Sequence, residues 1–279
     1  MKHIVYLMLI AICSTSAAAE YKPAGYLEKH INRLHAPGYQ NIQMYVYLPE
    51  SYYESQKRYP VMYMLHGAHG SEHSWIRKGR ILELIDSLRA LDKIKECIYV
   101  FPNMNQYDNY YDYYTSQEIG IAESFIGLNG EAEERFVKEV VNYVDGRFRT
   151  EAEKNSRGLT GLSIGGMQSL YISANNPDLF GSVYLLSPII KPPALRNIRT
   201  SIYKGLQQKI NQQFLSPPQT YNIMIGIDDI FFDKAYRFSE FLHKNKYKYD
   251  FKATAGGHTW KNWRDYSVQS LMDFLKNIS

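Results

Sequence analysis

Apolar residues recur along this chain with two different periods, and the two alternate. Ile42, Met44, Val46 and Leu48 fall on every second position between polar or aromatic neighbours, and Pro49 ends the run, which predicts a half-buried strand. Val61 to Leu65 is a short, nearly continuous apolar run, as expected of a strand covered on both faces of a parallel sheet. Further strands are predicted at Ile98 to Phe101, which Pro102-Asn103 stops, and at Arg157 to Thr160, Val183 to Leu186, Tyr221 to Ile227 and Tyr249 to Ala253. Between them the period lengthens to that of a helix. Ile81, Leu82, Ile85, Leu88 and Leu91 predict a covering helix over about 78–92. Phe136, Val137, Val140, Val141 and Val144 predict a second, ending near Gly146. Met167, Leu170, Tyr171 and Ala174 predict a third, closed by Asn175-Asn176-Pro177. Phe238, Phe241 and Leu242 mark a fourth, and Val268, Leu271, Met272 and Leu275 the closing one. Residues 20–40 follow neither period and are expected to be irregular. Residues 188–218 are polar and proline-bearing, with room for a helix near 200–214, and are expected to lie as an insertion over the site, placed like a lid.

Strand and helix alternating throughout, with no repeat and no low-complexity linker, imply one α/β domain over residues 20–279, a mostly parallel sheet with helices on both faces. The composition agrees: 45% hydrophobic and 22% charged residues leave a sizeable core and do not favour disorder. A net charge of +4, with no basic cluster, gives no footprint for nucleic acid. The first residues differ from the rest. Lys2 and His3 precede an apolar run from Ile4 to Ile12, too short to span a bilayer, and Ala17-Ala18-Ala19 offers a small-residue cleavage site before Glu20. This predicts a signal peptide over residues 1–19 and a secreted or periplasmic product of net charge +3. Ile12 before Cys13 is a poor fit to lipid attachment, and cleavage leaves Cys97 alone, so no internal disulfide forms. No other stretch is apolar enough to cross a membrane, and the sequence does not reveal the oligomeric state.

The chemistry concentrates at the ends of three predicted strands. Gly161-Leu162-Ser163-Ile164-Gly165 is a G-x-S-x-G sequence between a strand and a helix, the setting in which a sharp turn lifts a serine hydroxyl clear of the sheet. A bare G-x-S-x-G often marks a plain loop; its flanking strand and helix make this one a candidate nucleophile. The Ile164 N–H then stands at a helix N-terminus, where developing negative charge is stabilised. The strand at Val61 to Leu65 runs into His66-Gly67-Ala68-His69-Gly70, and the Ala68 N–H is the candidate second oxyanion donor. His66, His69 and His73 have a spacing able to bind zinc, but no carboxylate or cysteine pattern supports a metal site. Asp228 and Asp229 follow one strand, and His258 follows another after Gly256-Gly257. Asp228, Asp229 and Asp233 could each cap the next helix instead, and position alone does not separate the first two. The order Ser163, aspartate, His258 is that of the α/β-hydrolases. Histidine is the base that activates a poor nucleophile, and a buried carboxylate fixes its tautomer. Tyr107 to Tyr114 holds five tyrosines in eight residues, among them Tyr111; this is either an aromatic wall for a sugar or aryl ring or general tyrosine richness.

These segments together resemble the esterase D/feruloyl esterase group of the α/β-hydrolases, which includes carbohydrate esterase family 1. The resemblance rests on residues 59–68 ending His66-Gly67-Ala68, on Phe101-Pro102-Asn103, on Gly161 to Gly166, on Gly226 to Phe231 and on Gly256-Gly257-His258-Thr259-Trp260, spanning about 42–275. It implies Ser163 as nucleophile, His258 as base, Asp229 rather than Asp228 as acid, Ala68 and Ile164 as oxyanion donors, and no cofactor or metal. Substrate contacts are expected from His66, Tyr111 and Trp260. The implied substrates are small-molecule or polysaccharide esters, above all acyl or feruloyl esters of plant polysaccharides. A siderophore trilactone hydrolase or an acyltransferase on the same fold is the runner-up, and a carbohydrate-binding protein with a vestigial triad is the reading of another class. Ser187-Pro188 stands where the group usually has Ser-Gly, and 188–218 follows no pattern of the group.

Overall fold

Eight strands hydrogen-bond into one sheet in the computed structural model, which describes residues 21–32, 41–104, 130–190, 201–276 and 278. The strands are β1 (Tyr26–Asn32), β2 (Ile42–Leu48), β3 (Val61–Leu65), β4 (Ile98–Pro102), β5 (Arg157–Leu162), β6 (Ser182–Leu186), β7 (Thr220–Gly226) and β8 (Asp250–Thr254). Their spatial order is β1-β2-β4-β3-β5-β6-β7-β8. β2 pairs antiparallel with both of its neighbours, and every pair from β4 to β8 is parallel. The expected strands are therefore present, with β7 and β8 each displaced by one residue. The expected leader (1–19), the tyrosine-rich stretch with Tyr111 and residues 191–200 of the expected insertion lie outside the described residues.

Period-two alternation splits the core in two. Val61, Tyr63 and Leu65 of β3 face one layer with Val183 and Leu185 of β6 and Ile223 and Ile225 of β7. Met62, Met64, Tyr184, Leu186 and Met224 face the other. The first layer is completed by α3 (Glu131–Phe136), α4 (Asn142–Arg147), α5 (Ile164–Asn175), α6 (Leu206–Gln213) and α7 (Phe232–Lys244). The second holds α1 (Ser74–Arg77), α2 (Ile81–Ala90) and α8 (Trp260–Lys276). Helices on both faces of a mainly parallel sheet is the predicted architecture. α5 is buried along its length from Ile164 to Ala174, as suits a helix that must hold a reactive residue still.

Four elements differ from the sequence expectation. Residues 26–32 are an edge strand rather than irregular, because the inward positions of β1 are polar. Glu28 and His30 pair at 2.8 Å, and Asn32 Nδ2 donates to the Glu139 carbonyl at 2.8 Å, while Ile31 is exposed. The helix expected over 78–92 is α2 alone, preceded by a break at Gly79 and Arg80, whose φ is 51°. The helix expected to end near Gly146 contains a π-helical turn, Val137–Val141, between α3 and α4. α8 begins at Trp260, before the first residue of its expected apolar stripe.

Candidate active site

Parallel pairing brings the ends of β3, β5, β6, β7 and β8 to one edge of the sheet. Leu65 is level with Gly161, Leu162 with Leu186, Leu186 with Met224 and Gly226 with Thr254. The ladder continues past the strands and pins the turns. The Ser163 N–H donates to Leu186 O at 2.9 Å, the Ser187 N–H to Met224 O at 2.8 Å, and the Ile227 N–H to Thr254 O at 2.8 Å.

Ser163 has φ 57° and ψ −116°, a conformation that costs about 1–3 kcal/mol for a residue with a side chain. The two glycines beside it permit that turn. A Cβ on Gly161 would stand 2.2 Å from Gly165 O, and one on Gly165 would stand 2.4 Å from His66 O. The turn from β5 into α5 can be this tight only where those methyl groups are absent.

His258 lies between Ser163 and Asp229. Its Nε2 is 2.8 Å from Ser163 Oγ and its Nδ1 is 2.8 Å from Asp229 Oδ2. Asp229 Oδ1 accepts the Phe231 N–H at 2.9 Å, and the Asp229 side chain has no solvent exposure. Burial alone would push this carboxyl up, but the hydrogen bonds from His258 and the Phe231 N–H, with the attraction of His258, outweigh it and hold the group below its ordinary value. Asp228 and Asp233 are both exposed, and Asp233 lies in the first turn of α7. Geometry thus separates the aspartates that sequence position left equivalent. Gly226 and Gly256 let the two loops close on each other: a Cβ on Gly226 would meet Gly256 O at 2.0 Å.

The turn after β3 is closed by the Gly70 N–H donating to Gly67 O at 3.1 Å, with Ala68 and His69 between them. A Cβ on Gly67 would lie 3.3 Å from Ser163 Cβ, so this turn flanks the serine. Ile164 is the first residue of α5, where the backbone N–H has no acceptor one turn back in the same helix. Both expected oxyanion donors therefore lie beside Ser163.

The three histidines after β3 do not converge. His66 is buried with both ring nitrogens held by backbone: Nδ1 is 2.8 Å from Gly67 O, and Nε2 accepts the Met104 N–H at 3.0 Å. This fixes the proton on Nδ1, and burial lowers its pKa. His66 does not line the cavity at Ser163, whereas His69 does. His73 packs edge-on against Tyr45 and lies 3.5 Å from Glu72. Among the described residues no group of three or more His, Cys, Asp or Glu is arranged to hold a metal ion.

A cavity of about 210 Å³ opens at Ser163 and His258. Its wall is largely apolar, formed by Leu162, Ile164, Ile189, Phe231, Trp260 and Trp263. Trp260, expected from the sequence to contact substrate, is one of these wall residues. Phe231 and Trp263 were not foreseen: their rings meet the His258 ring edge-on, at 5.2 and 4.9 Å between centroids. A helical reading begun at Trp260 would have put Trp263 one turn away, on the same side.

This strand order, with a serine turn after β5 and with Asp229 and His258 after β7 and β8, defines the class: the protein is an α/β-hydrolase. It belongs to the family described as "Putative esterase", whose model matches residues 38–274, and that membership puts it among the carboxylic ester hydrolases. Over 146 residues, 51% of this chain, it is 34% identical to an endo-1,4-beta-xylanase/feruloyl esterase of Xylanibacter ruminicola. That stretch spans only 19% of the relative. A CE1 ferulic acid esterase from Anaeromyces mucronatus, solved with ferulic acid, superposes with TM-score 0.71 at 19% identity over 95% of each chain. An S-formylglutathione hydrolase from Staphylococcus aureus superposes with TM-score 0.68 at 15% identity, covering 90% of this chain and 97% of its own. Both structural likenesses are likenesses of fold.

Proposed function

We propose that the protein is a secreted serine esterase that works through Ser163, His258 and Asp229 by way of an acyl-enzyme. The observation that carries this is His258 bridging Ser163 Oγ and Asp229 Oδ2, at 2.8 Å on each side. As Ser163 Oγ attacks the ester carbonyl, its proton passes to His258 Nε2. The Ala68 and Ile164 N–H groups receive the oxyanion, and Asp229 stabilises the imidazolium that forms. His258 then protonates the departing alcohol, and a water deprotonated by the same nitrogen releases the acid. His66 acts here by fixing the oxyanion turn through Gly67 rather than by touching substrate. No cofactor is required.

Acyl or feruloyl esters of plant polysaccharides are the substrates this reading favours. The apolar, aromatic wall with Trp260 and Trp263 suits an aryl acyl group, and the Xylanibacter relative bears the name endo-1,4-beta-xylanase/feruloyl esterase. The test is hydrolysis of p-nitrophenyl acetate, methyl ferulate, acetylated xylan and a catechol siderophore lactone by the protein and by Ser163→Ala. Turnover in the variant is expected to fall by about 10⁶-fold, as when a triad acts as a unit. A loss under tenfold would overturn the assignment of Ser163. The fastest substrate decides between polysaccharide and siderophore. A folded protein inactive on all four would instead fit the acyltransferase or binding reading.

A further inference from the structure

The polar groups lining the cavity at Ser163 belong to the triad and to the turn after β3, with two exceptions. One is Ser74, whose hydroxyl accepts the Ser71 N–H at 2.9 Å. The other is Lys78. Among the described residues it is the one lining side chain whose charge is fixed at neutral pH. No described carboxylate lines the cavity to answer it. Asp229 is engaged by His258, and Glu72 is buried against Asn103 Nδ2 at 2.9 Å and His73 at 3.5 Å. Asp228 is exposed on the loop after β7, outside the lining.

The backbone of Lys78 is held from two sides. Its N–H donates to Ser74 O at 2.9 Å, and its carbonyl accepts Arg264 Nε–H at 3.1 Å and Nη2–H at 2.6 Å. The next residue lies against the tryptophan of the wall: a Cβ on Gly79 would stand 3.0 Å from Trp260 Cζ3. α1 and α8 thus root the lysine beside Trp260, and the residue itself is exposed where it borders the cavity. Charge around it is one-sided. Residues 77–80 and 260–265 hold Arg77, Lys78, Arg80, Lys261 and Arg264 against Asp265. Arg80 is taken by Glu83, and Lys261 lies 3.9 Å from Asp265. Among the described residues the Lys78 ammonium is in no ion pair.

We infer that Lys78 is a specificity-determining residue that binds a carboxylate carried by the substrate apart from the scissile ester. This rests on the serine esterase reading above. An ammonium on a flexible four-carbon stem is a point charge with three donors, so it can follow a carboxylate to more than one distance from Ser163. A negative group held there gains a Coulomb attraction that its neutral isostere lacks, and the apolar indole beside it strengthens that attraction by excluding water. In a polysaccharide ester such a group is the carboxylate of a uronic acid.

The experiment compares wild type, Lys78→Met, Lys78→Glu and Ser163→Ala, with fold and Tm checked for each. Methionine keeps an unbranched stem and removes the charge. Two pairs of esters are used, each a carboxylate and a neutral partner: meta-acetoxybenzoate with meta-acetoxybenzamide, and mono-p-nitrophenyl glutarate with p-nitrophenyl pentanoate. The first pair puts the carboxylate on the alcohol side and the second on the acyl side. The quantity read is the ratio of kcat/KM for the charged ester to that for its neutral partner, so intrinsic reactivity and any general loss of activity cancel between variants. For at least one pair the ratio in wild type is expected to exceed that in Lys78→Met by about fivefold at low salt, mainly through KM. Lys78→Glu should lower it further. The difference should shrink as NaCl is raised towards about 1 M, where the screening length falls to about 3 Å. Ratios that are equal in wild type and both Lys78 variants for both pairs, or a difference that salt leaves unchanged, overturn the inference. If Ser163→Ala stays active on these esters, the triad reading itself fails; if it is dead while the ratios do not move, only this inference does.

Discussion

Ser163 holds a backbone conformation that residues with a side chain seldom adopt, and its neighbours explain how it persists. Gly165 faces backbone on its crowded side, His66 O at 2.4 Å and Leu65 O at 2.5 Å from a built Cβ, so no side-chain rotation could relieve a methyl group there. Gly165→Ala is expected to cost about 3 kcal/mol or more, measured by denaturant unfolding, and to lower kcat at least a hundredfold by shifting Ser163 against His258. A variant of wild-type stability and rate would mean that the turn is not under this constraint. At this scale the motif residues were legible because few residue types suit their places: a serine and a histidine for the proposed chemistry, and glycines where nothing else fits. Asp229 was separable from Asp228 only through resemblance, since both follow β7 and only packing buries one of them. His66 looked like a substrate contact because a histidine after a buried strand is chemically versatile. Which atoms its two nitrogens face is a matter of where Gly67 and Met104 come to lie.

Elements were legible where an apolar stripe faces the core and illegible where polar groups do. β1 turns Glu28, His30 and Asn32 inward, each half-buried, and no hydrophobicity rule assigns that pattern to a strand. α3 shows the same effect deeper in the protein. Glu133 is fully buried; its Oε1 accepts Tyr203 Oη–H at 2.5 Å and Gln168 Nε2–H at 3.0 Å, while Oε2 has no partner. It links α3 to the helix that follows Ser163 and to the segment before α6. Burial raises its pKa more than the hydrogen bonds from Tyr203 and Gln168 lower it. A carboxyl whose folded pKa lies above its unfolded one gives its full stability below the unfolded value, about 4.3, and loses it as pH rises through the folded value. Glu133→Gln, neutral throughout, is therefore expected to be more stable than wild type near pH 7 by about 1 kcal/mol, or roughly 2–4 °C in Tm. The advantage should vanish near pH 4. Thermal melts of both proteins across that range check it, and a constant difference would show that the charge plays no part.

At the scale of the molecule, two apolar layers enclose a sheet whose carboxyl edge gathers loops from positions 66, 163, 229 and 258. Among the described residues no helix is long and apolar enough to cross a membrane. The proposal of export adds a consequence for the thiols. Removal of residues 1–19 takes away Cys13, and Cys97 is buried, with its thiol pKa raised well above the ordinary value by loss of solvent. The exported protein is expected to begin at Glu20 and, while folded, to resist alkylation by iodoacetamide; denaturant should expose one reactive thiol per chain. N-terminal sequencing and mass spectrometry of the labelled protein read both. An N-terminus still at Met1 would remove the export proposal.

The sequence by itself determined the alternation of strands and helices, the two-faced core and the tight serine turn after β5, because periodicity and steric exclusion act over a few neighbouring residues. It also put the Gly67 to Gly70 turn after the buried run of β3 and His258 beyond the glycine pair that follows β8. What it left open depends on residues far apart in the chain. The order of the strands decided that the loop after β7 faces the loop after β8, and so that Asp229 reaches His258. The early start of α8 decided that Trp263 stands against His258 and reaches Ser187, some 76 residues away. The bond from His66 Nδ1–H to Gly67 O and the one from the Met104 N–H to Nε2 decided that His66 braces the turn. No local pattern encodes such contacts, because each exists only once the sheet has brought its two ends together.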